Sequence, residues 1–278
     1  MSTIPVFARI VVPVDGSTLS GTAVAIAGAL AQQGGRVIFC SVVDPALACA
    51  PAAYGVALDP GPMLVTLDDN ARHFVDDAGS RAGPGVVTQT AVLHGPVGAS
   101  IAAFAERHAA DAIVMGTHAR HGLSRAVLGS VAEAVMVHAA VPVVVVHEGD
   151  TLLSGPIAVA LDDSVAARAA LDEAIAIARI LEATLVIVHA HEANEHGVSA
   201  MLAGAAERAH AMNVATTTVA AAGPAAETVV SAAVAYGCAL IVTGTHGRGG
   251  LERAVIGSVA GEIVVRAHVP VVTVRCAA

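Results

Sequence analysis

Residues 116–131 read GTHARHGLSRAVLGSV and residues 244–259 read GTHGRGGLERAVIGSV, so that 12 of 16 positions are identical. Each copy follows a short apolar run and opens a helical pattern that ends before Val-Pro-Val-Val. A Gly-rich turn between a strand and a helix presents backbone N–H groups and the positive end of the helix dipole to a ligand. The repeated segment therefore predicts two phosphate-binding turns, one in each half of the chain.

The repeat and the length of 278 residues indicate two domains, which we predict at residues 1–150 and 151–278. Gly116 and Gly244 are offset by 128 residues, whereas the aspartates that follow the first strand of each half are offset by 147. The first half therefore carries about 19 additional residues in a stretch rich in Pro, Ala and Gly (44–66). We expect an elaborated loop there, on an otherwise duplicated unit.

The composition argues against several classes of partner. The net charge is −9 and the chain has no lysine, so we expect neither nucleic-acid binding nor a P-loop. The mean hydropathy of +0.72 comes from dispersed Ala and Val, and no apolar run approaches the roughly 20 residues that span a bilayer. We therefore expect no membrane insertion. The four cysteines show no metal-ligand spacing and no export signal begins the chain, which predicts reduced thiols in the cytoplasm.

Apolar runs and amphipathic stretches alternate in the same order in both halves. The predicted strands are Ile10–Val14, Arg36–Val43, Val86–Leu93, Ala112–Met115, Val143–Val146, Ile157–Leu161, Thr184–His189, Ala215–Ala221, Leu240–Thr243 and Val271–Val274. The predicted helices are Ser20–Gln33, Leu67–Arg81, Val97–His108, Ser130–Ala139, Ala166–Glu182, Ser199–Met212, Ala225–Tyr236 and Ser258–Ala267, with Ser17 as the N-cap of the first. This pattern predicts an α/β fold of two tandem doubly wound domains, each with a five-stranded parallel sheet and about four helices.

Asp15 and Asp162 end the first strand of each half. In doubly wound sheets ligands bind at the carboxyl ends of the strands, where the strand order reverses. If the order is 3-2-1-4-5, Asp15 faces Gly116 and Asp162 faces Gly244 across a crevice. The carboxylates could then accept hydrogen bonds from ribose hydroxyls or an adenine amino group. The alternative is an Asx turn or a cap leading into the first helix.

The second copy of the repeat contains Gly244, Gly247, Gly257 and Ser258. The first glycines would let the backbone pass close to a ligand. The N–H groups of Gly257 and Ser258, with the Ser hydroxyl, would hold phosphate oxygens. A Gly-Ser pair can also simply cap a helix, but its repetition at a fixed spacing after a strand favours phosphate binding.

No catalytic set accompanies these turns. Arg120 and Arg248 could offer a charge to phosphates or be exposed to solvent, and His118 and His246 indicate a pocket wall rather than metal ligands. No Gly-x-Ser-x-Gly elbow is present and no repeated carboxylate pair is placed for acid–base chemistry or a metal. These residues predict a phosphate-binding protein without evident catalytic groups.

The strand-end aspartates, the glycine–serine pattern and the terminal Val-Pro-Val-Val strands resemble the universal stress protein family in its tandem form, over residues 6–147 and 155–275. The resemblance implies the 3-2-1-4-5 order and binding of ATP or another adenine nucleotide, often with a divalent cation, for which we expect Mg²⁺. The predicted ligand-contacting residues of the first half are Pro13, Val14, Asp15, Val42, Met115, Gly116, His118, Ala119, Arg120, Gly129, Ser130 and Val131. Those of the second half are Ala160, Leu161, Asp162, Ala190, Thr243, Gly244, His246, Gly247, Arg248, Gly257, Ser258 and Val259.

The first half departs from the family pattern at Ala119, where the family has glycine. If that position needs a positive φ or a close approach, the methyl group costs on the order of 1 kcal/mol or more. Such a cost would weaken nucleotide binding about fivefold or more. We therefore predict that the second site is the stronger.

The family pairs its fifth strands between protomers, so in a tandem chain the fifth strands of the two halves are expected to pair with each other. A further homodimer is left open. The predicted function is an ATP-binding, stress-response regulator that acts through nucleotide occupancy. The alternatives are a weak ATP hydrolase and a nucleotide-free scaffold or chaperone-like protein. Gly247 and Gly257 argue against the scaffold in the second half, whereas Ala119 leaves it open in the first.

Overall fold

Runs of branched apolar residues form the strands, because such side chains pack well on a sheet that is buried on both faces. The computed structural model describes residues 7–31, 34–46, 59–117, 128–151, 154–191, 197–245 and 256–275. Within them the strands are β1 (Arg9–Pro13), β2 (Arg36–Val43), β3 (Val87–His94), β4 (Ala112–Gly116), β5 (Val143–Val146), β6 (Ile157–Ala160), β7 (Leu185–His191), β8 (Thr216–Ala222), β9 (Leu240–Gly244) and β10 (Val271–Val274). Val11 and Val12 of β1 belong to opposite faces and both are fully buried.

Eight helices connect the strands within the described ranges. They are α1 (Thr18–Leu30), α2 (Gly61–Arg81), α3 (Val97–Arg107), α4 (Ser130–His138), α5 (Val165–Leu181), α6 (Val198–Ala211), α7 (Ala225–Ala235) and α8 (Ser258–Arg266). Ser17 caps α1 as predicted, and Ser164 caps α5 in the same way. Among the helices of these ranges, none combines the length and the apolar character needed to cross a membrane.

Helix α2 begins earlier than the sequence pattern predicts. We expected a start near Leu67, but the helix begins at Gly61, with a proline in its first turn. The side chains of Met63 and Val65 are 42% and 62% exposed. Because these first turns bury little apolar surface, no periodic stripe marks them in the sequence. Part of the predicted insertion is therefore helical, and residues 47–58 of it lie outside the described residues.

All ten strands form one sheet in the order β3-β2-β1-β4-β5-β10-β9-β6-β7-β8. Each half therefore has the order 3-2-1-4-5, and its strands pair in parallel, as the sequence predicts. The order reverses between β1 and β4 in the first half and between β6 and β9 in the second. These two points are where a doubly wound sheet forms a ligand crevice.

The sheet separates two apolar cores, and each core continues from one half into the other. On one face α1 and α5 contribute Ile26 and Ile175 to a single cluster. On the other face α3 and α8 contribute Ile101 and Ile263. The two halves therefore stabilise each other through packing on both faces of the sheet as well as through strand pairing.

The fifth strands β5 and β10 pair antiparallel and join the halves, which is the intramolecular pairing that the sequence predicts. The hydroxyl of Thr273 donates to the carbonyl of Val143 at 3.3 Å. The guanidinium of Arg275 donates to the carbonyl of Val137 near the end of α4. Because this junction is antiparallel, the carboxyl ends of the strands lie at one edge of the sheet in the first half and at the opposite edge in the second.

Candidate functional site

A cleft opens at the carboxyl ends of β1, β2 and β4, at the point where the strand order of the first half reverses. Its empty space, about 680 Å³, includes the open mouth. Its wall combines strand ends with the first turns of α1, α3 and α4. The lining residues are Pro13, Val14, Asp15, Ser17, Leu19, Ser20, Cys40, Ser41, Val42, Val97, Ile101, Met115, Gly116, Thr117, Gly129, Ser130, Val131 and Ala132.

The loop after the first strand of each half contains an Asx turn. Oδ1 of Asp15 accepts the backbone N–H of Ser17 at 3.0 Å and its hydroxyl at 2.6 Å. In the second half Oδ1 of Asp162 accepts the N–H of Ser164 at 2.9 Å. The Asx turn considered from the sequence is thus present, but Asp15 also lines the cleft. The turn and a ligand contact are therefore compatible.

The strand-end glycines Gly116 and Gly244 pack against the first helix of each half. A Cβ at Gly116 would lie 2.3 Å from Cγ of Leu19, and a Cβ at Gly244 would lie 2.7 Å from the carbonyl carbon of Ala166. Real Cβ atoms do not approach other atoms this closely, so a side chain at either position would require its neighbour to move. Gly116 also lines the cleft, so helix packing and a close approach of a ligand to its backbone are compatible.

Helices α4 and α8 begin without a side-chain cap. Their N-cap residues are Gly129 and Gly257, which have no side chain to accept a hydrogen bond. The N–H of Gly129 donates to the carbonyl of Thr117 at 2.8 Å, and that of Gly257 donates to the carbonyl of Thr245 at 2.7 Å. The expectation that the Gly257 N–H binds phosphate is therefore not met. The donors that face the cleft from α4 are those of its first turn, which starts at Ser130.

Part of the cleft wall is apolar. Val42 of β2, Met115 of β4 and Val97 and Ile101 of α3 line it, in the same apolar cluster as Ala132 of α4. Cys40 also lines the cleft, and burial raises the pKa of its thiol to about 12, so the thiol is neutral and behaves as a small apolar group.

The second half places the corresponding residues at the other edge of the sheet. Ala160 ends β6 and Leu161 and Asp162 follow it, Ala190 lies on β7, Thr243 and Gly244 end β9, and Gly257, Ser258 and Val259 open α8. Leu161 is held to β7 by its N–H, which donates to the carbonyl of Val188 at 2.9 Å. The corresponding bond in the first half joins Val14 to Cys40 at 2.8 Å.

Several side chains differ between the two sites, and three of the differences follow. Gly16, with a φ of +76°, is replaced by the exposed Asp163, whose φ is not positive. Leu19 is replaced by Ala166. Ser41 is matched in strand register by His189, whose Nδ1 bonds to the carbonyl of Leu161 at 2.7 Å. Since that carbonyl oxygen can only accept, Nδ1 carries the proton.

The structure brings together most of the predicted residues of the first site. Those that line the cleft are Pro13, Val14, Asp15, Val42, Met115, Gly116, Gly129, Ser130 and Val131. The predicted residues His118, Ala119, Arg120, His246, Gly247 and Arg248 lie outside the described residues. Sequence reasoning missed Ser41, Thr117 and the two α3 residues of the apolar wall. The sequence did contain a signal for Thr117, because this residue recurs as Thr245 in the repeated Gly-Thr-His segment. The α3 residues have no such signal, because their sequence pattern is that of ordinary core positions.

Within the described residues, no group of three or more His, Cys, Asp or Glu side chains could hold a metal ion.

Two doubly wound units in tandem, each with a point where its strand order reverses, define the class of protein as a tandem-domain α/β protein. The sequence model of the Universal stress protein family matches residues 7–147 and again residues 154–275. The chain therefore belongs to the universal stress protein family and carries two copies of its domain.

Comparisons with individual proteins agree with this assignment. The universal stress protein Rv2005c of Mycobacterium tuberculosis is 30% identical over 187 residues, a match that spans 60% of this chain and 62% of that protein's length. A universal stress protein of Mycolicibacterium smegmatis is 28% identical over 297 aligned positions, covering 96% of both chains. A universal stress protein of Archaeoglobus fulgidus of known structure has the same fold, with a TM-score of 0.78 at 20% identity, covering 98% of this chain and 97% of that one.

Proposed function

We propose that this universal stress protein binds an adenine nucleotide, ATP, at the switch point of each half, and that nucleotide occupancy regulates its role in a stress response. The observation that carries the proposal is the cleft at the switch point of the first half, which is lined by apolar side chains and by the first turn of α4, a helix without a side-chain cap. Apolar lining beside helix N–H donors suits a molecule with a flat base at one end and phosphates at the other.

Each part of the nucleotide has a counterpart in the cleft. The base would lie against Val42, Val97 and Ile101, and the carboxylate of Asp15 would accept a hydrogen bond from a ribose hydroxyl or the adenine amino group. The N–H groups of the first turn of α4, with the hydroxyl of Ser130, would hold phosphate oxygens. In the second half Asp162, Ser258 and Val259 would play the corresponding parts.

We propose that Mg²⁺ accompanies the nucleotide. Mg²⁺ keeps several waters and commonly binds through substrate phosphates and one or two carboxylates rather than through a cage of protein ligands. The described residues offer no such cage, and Asp162 and Asp163 provide carboxylates near the second site. Binding of ATP at both sites should therefore be tighter with Mg²⁺ than with EDTA.

Regulation by occupancy fits the lining better than catalysis does. The titratable groups among the lining residues of the first cleft are Asp15 and the neutral thiol of Cys40. Asp15 is engaged by Ser17 and would contact the base or ribose, so neither group is placed to activate water at a phosphate. We expect turnover of ATP to be absent or very slow, and we expect the protein to act in the cytoplasm.

The direct test is mass spectrometry of nucleotide released from the freshly purified chain. Gly129→Glu and Gly257→Glu would each place a carboxylate where phosphate is expected, and Gly204→Glu is the control, since Gly204 lies on the exposed face of α6 with no atom within 4 Å of an added Cβ. We expect ATP in the unchanged chain and in Gly204→Glu, less in each single site variant, and none in the double variant.

Failure to find nucleotide, followed by no binding of millimolar ATP with Mg²⁺ in titration calorimetry, would contradict the proposal. The nucleotide-free scaffold would then become the leading function. Retention of ATP by the double Gly129→Glu, Gly257→Glu variant would contradict the placement of the phosphates.

A further inference from the structure

The loop after β1 contains a chain of hydrogen bonds that ends on the carboxylate of Asp15. The backbone N–H of Ser20 donates to Oγ of Ser17 at 3.2 Å, and Oγ of Ser17 lies 2.6 Å from Oδ1 of Asp15. A hydroxyl has one proton, and the N–H can only donate. The hydroxyl proton of Ser17 therefore points to Asp15. The hydrogen bonds run in one direction, from the N–H of Ser20 to the hydroxyl of Ser17 and from that hydroxyl to the carboxylate of Asp15.

The carboxylate of Asp15 is held by two donors from one residue. Its Oδ1 accepts both the hydroxyl and the backbone N–H of Ser17, at 2.6 and 3.0 Å. The shorter distance is typical of a hydroxyl that donates to an ionised carboxylate, which is among the stronger hydrogen bonds of proteins. Both bonds limit rotation of the carboxylate, so that it remains an acceptor at the wall of the cleft.

The second half shares the backbone part of this arrangement. The N–H of Ser164 donates to Oδ1 of Asp162 at 2.9 Å, and Oγ of Ser164 accepts the N–H of Ala167 at 3.0 Å. The Asx turn and the serine cap therefore recur in two loops whose middle residues differ as Gly16 and Asp163.

We propose that Ser17 is a positioning residue for the nucleotide, which orients the carboxylate of Asp15 toward a donor group of the ligand. The inference rests on the proposed function and deepens it. A helix cap needs only the acceptor oxygen of the serine, whereas positioning needs the hydroxyl proton as well. The two roles of the serine can therefore be separated by substitution.

The first experiment uses the full chain carrying Gly257→Glu, so that titration calorimetry with ATP and Mg²⁺ reports on the first site. Ser17→Gly removes the hydroxyl at a small cost in helix stability, because glycine is an acceptable N-cap. We expect it to weaken ATP binding about tenfold, as loss of a hydrogen bond to a charged group would. Ser17→Thr keeps the hydroxyl and should restore affinity to within about twofold. Thr18→Gly, at the next residue, is the control for a loss of ATP affinity that a glycine causes only by making the backbone more flexible.

A double-mutant cycle with Asp15→Asn separates positioning from a general structural effect. If Ser17 acts through Asp15, Ser17→Gly should weaken binding less than about twofold in a chain that already carries Asp15→Asn, because interacting residues are non-additive.

Equal losses of affinity from Ser17→Gly in chains with and without Asp15→Asn would overturn the inference. The inference would also be overturned if Asp15→Asn abolished ATP binding while Ser17→Gly retained full affinity. In that case the proposed nucleotide site would still stand. Absence of ATP binding by the unchanged chain would overturn the proposed function and this inference with it.

Discussion

Replacing Gly116 or Gly244 by alanine adds the same methyl group at equivalent strand ends, yet we predict different consequences. At Gly116 the new Cβ would lie 2.3 Å from Cγ of Leu19, whose side chain borders the cleft. At Gly244 it would lie 2.7 and 2.8 Å from the backbone carbon and oxygen of Ala166, in the first turn of α5. A leucine side chain can rotate into the cleft, whereas a helix backbone has to move as a whole.

The magnitudes follow from these contacts. Neither glycine has a φ in the left-handed region, so alanine fits both backbones and gains about 0.4–1 kcal/mol from the lower entropy of the unfolded chain. Overpacking against the Ala166 backbone costs about 1–3 kcal/mol. Gly244→Ala should therefore lower the free energy of unfolding by roughly 1–2 kcal/mol and the Tm by about 2–8 °C. Gly116→Ala should change stability by less than about 1 kcal/mol, but weaken ATP binding about tenfold as Leu19 enters the cleft.

Urea and thermal unfolding measure the stabilities, and calorimetric titration of a chain carrying Gly257→Glu measures ATP affinity at the first site. Adding Leu19→Ala to Gly116→Ala reproduces the alanine of the second half and should recover most of the lost affinity. Equal losses of stability in Gly116→Ala and Gly244→Ala would refute the reasoning. Failure of Leu19→Ala to restore ATP binding would show that Leu19 does not transmit the effect.

Three further predictions concern affinity, pH and thiol chemistry. The second site should bind ATP about fivefold or more tightly than the first. Titration of a chain carrying Gly129→Glu measures the second site, and titration of a chain carrying Gly257→Glu measures the first. Equal affinities would contradict the prediction. Burial, with the charge of Asp111, raises the pKa of Glu173 above its ordinary value. The folded chain therefore holds this proton more tightly than the unfolded chain does. As a result, the free energy of unfolding falls as the pH rises from the pKa of Glu173 in the unfolded chain through its pKa in the folded chain. Glu173→Gln should therefore raise the Tm near neutral pH and change it little at a pH below 4, and a gain that is the same at both pH values would count against this. Since the pKa of Cys40 is raised to about 12, iodoacetamide near pH 8 should modify Cys40 in denaturant but not in the folded chain, as peptide mass spectrometry would reveal.

Much of the architecture was predictable because it depends on local patterns. Short β-branched runs alternating with amphipathic stretches determine the strands and helices, and the second copy of the Gly-Thr-His segment determines that the unit is repeated. The start of α2 was not predictable, since Met63 and Val65 are exposed and leave no periodic signal. The candidate site was predictable where it follows a strand end, as at Asp15, and where a motif recurs, as at Ser130.

The sequence by itself thus determined the two doubly wound halves, their strand order through the family resemblance, and the strand-end positions where a ligand would lie. Only the tertiary structure decided that Gly116 makes room for Leu19, that the N–H of Gly129 is bonded to Thr117, and that the two switch points lie at opposite edges of one sheet. These features depend on contacts between residues far apart in the chain, and on the antiparallel pairing of β5 with β10, none of which a local pattern encodes.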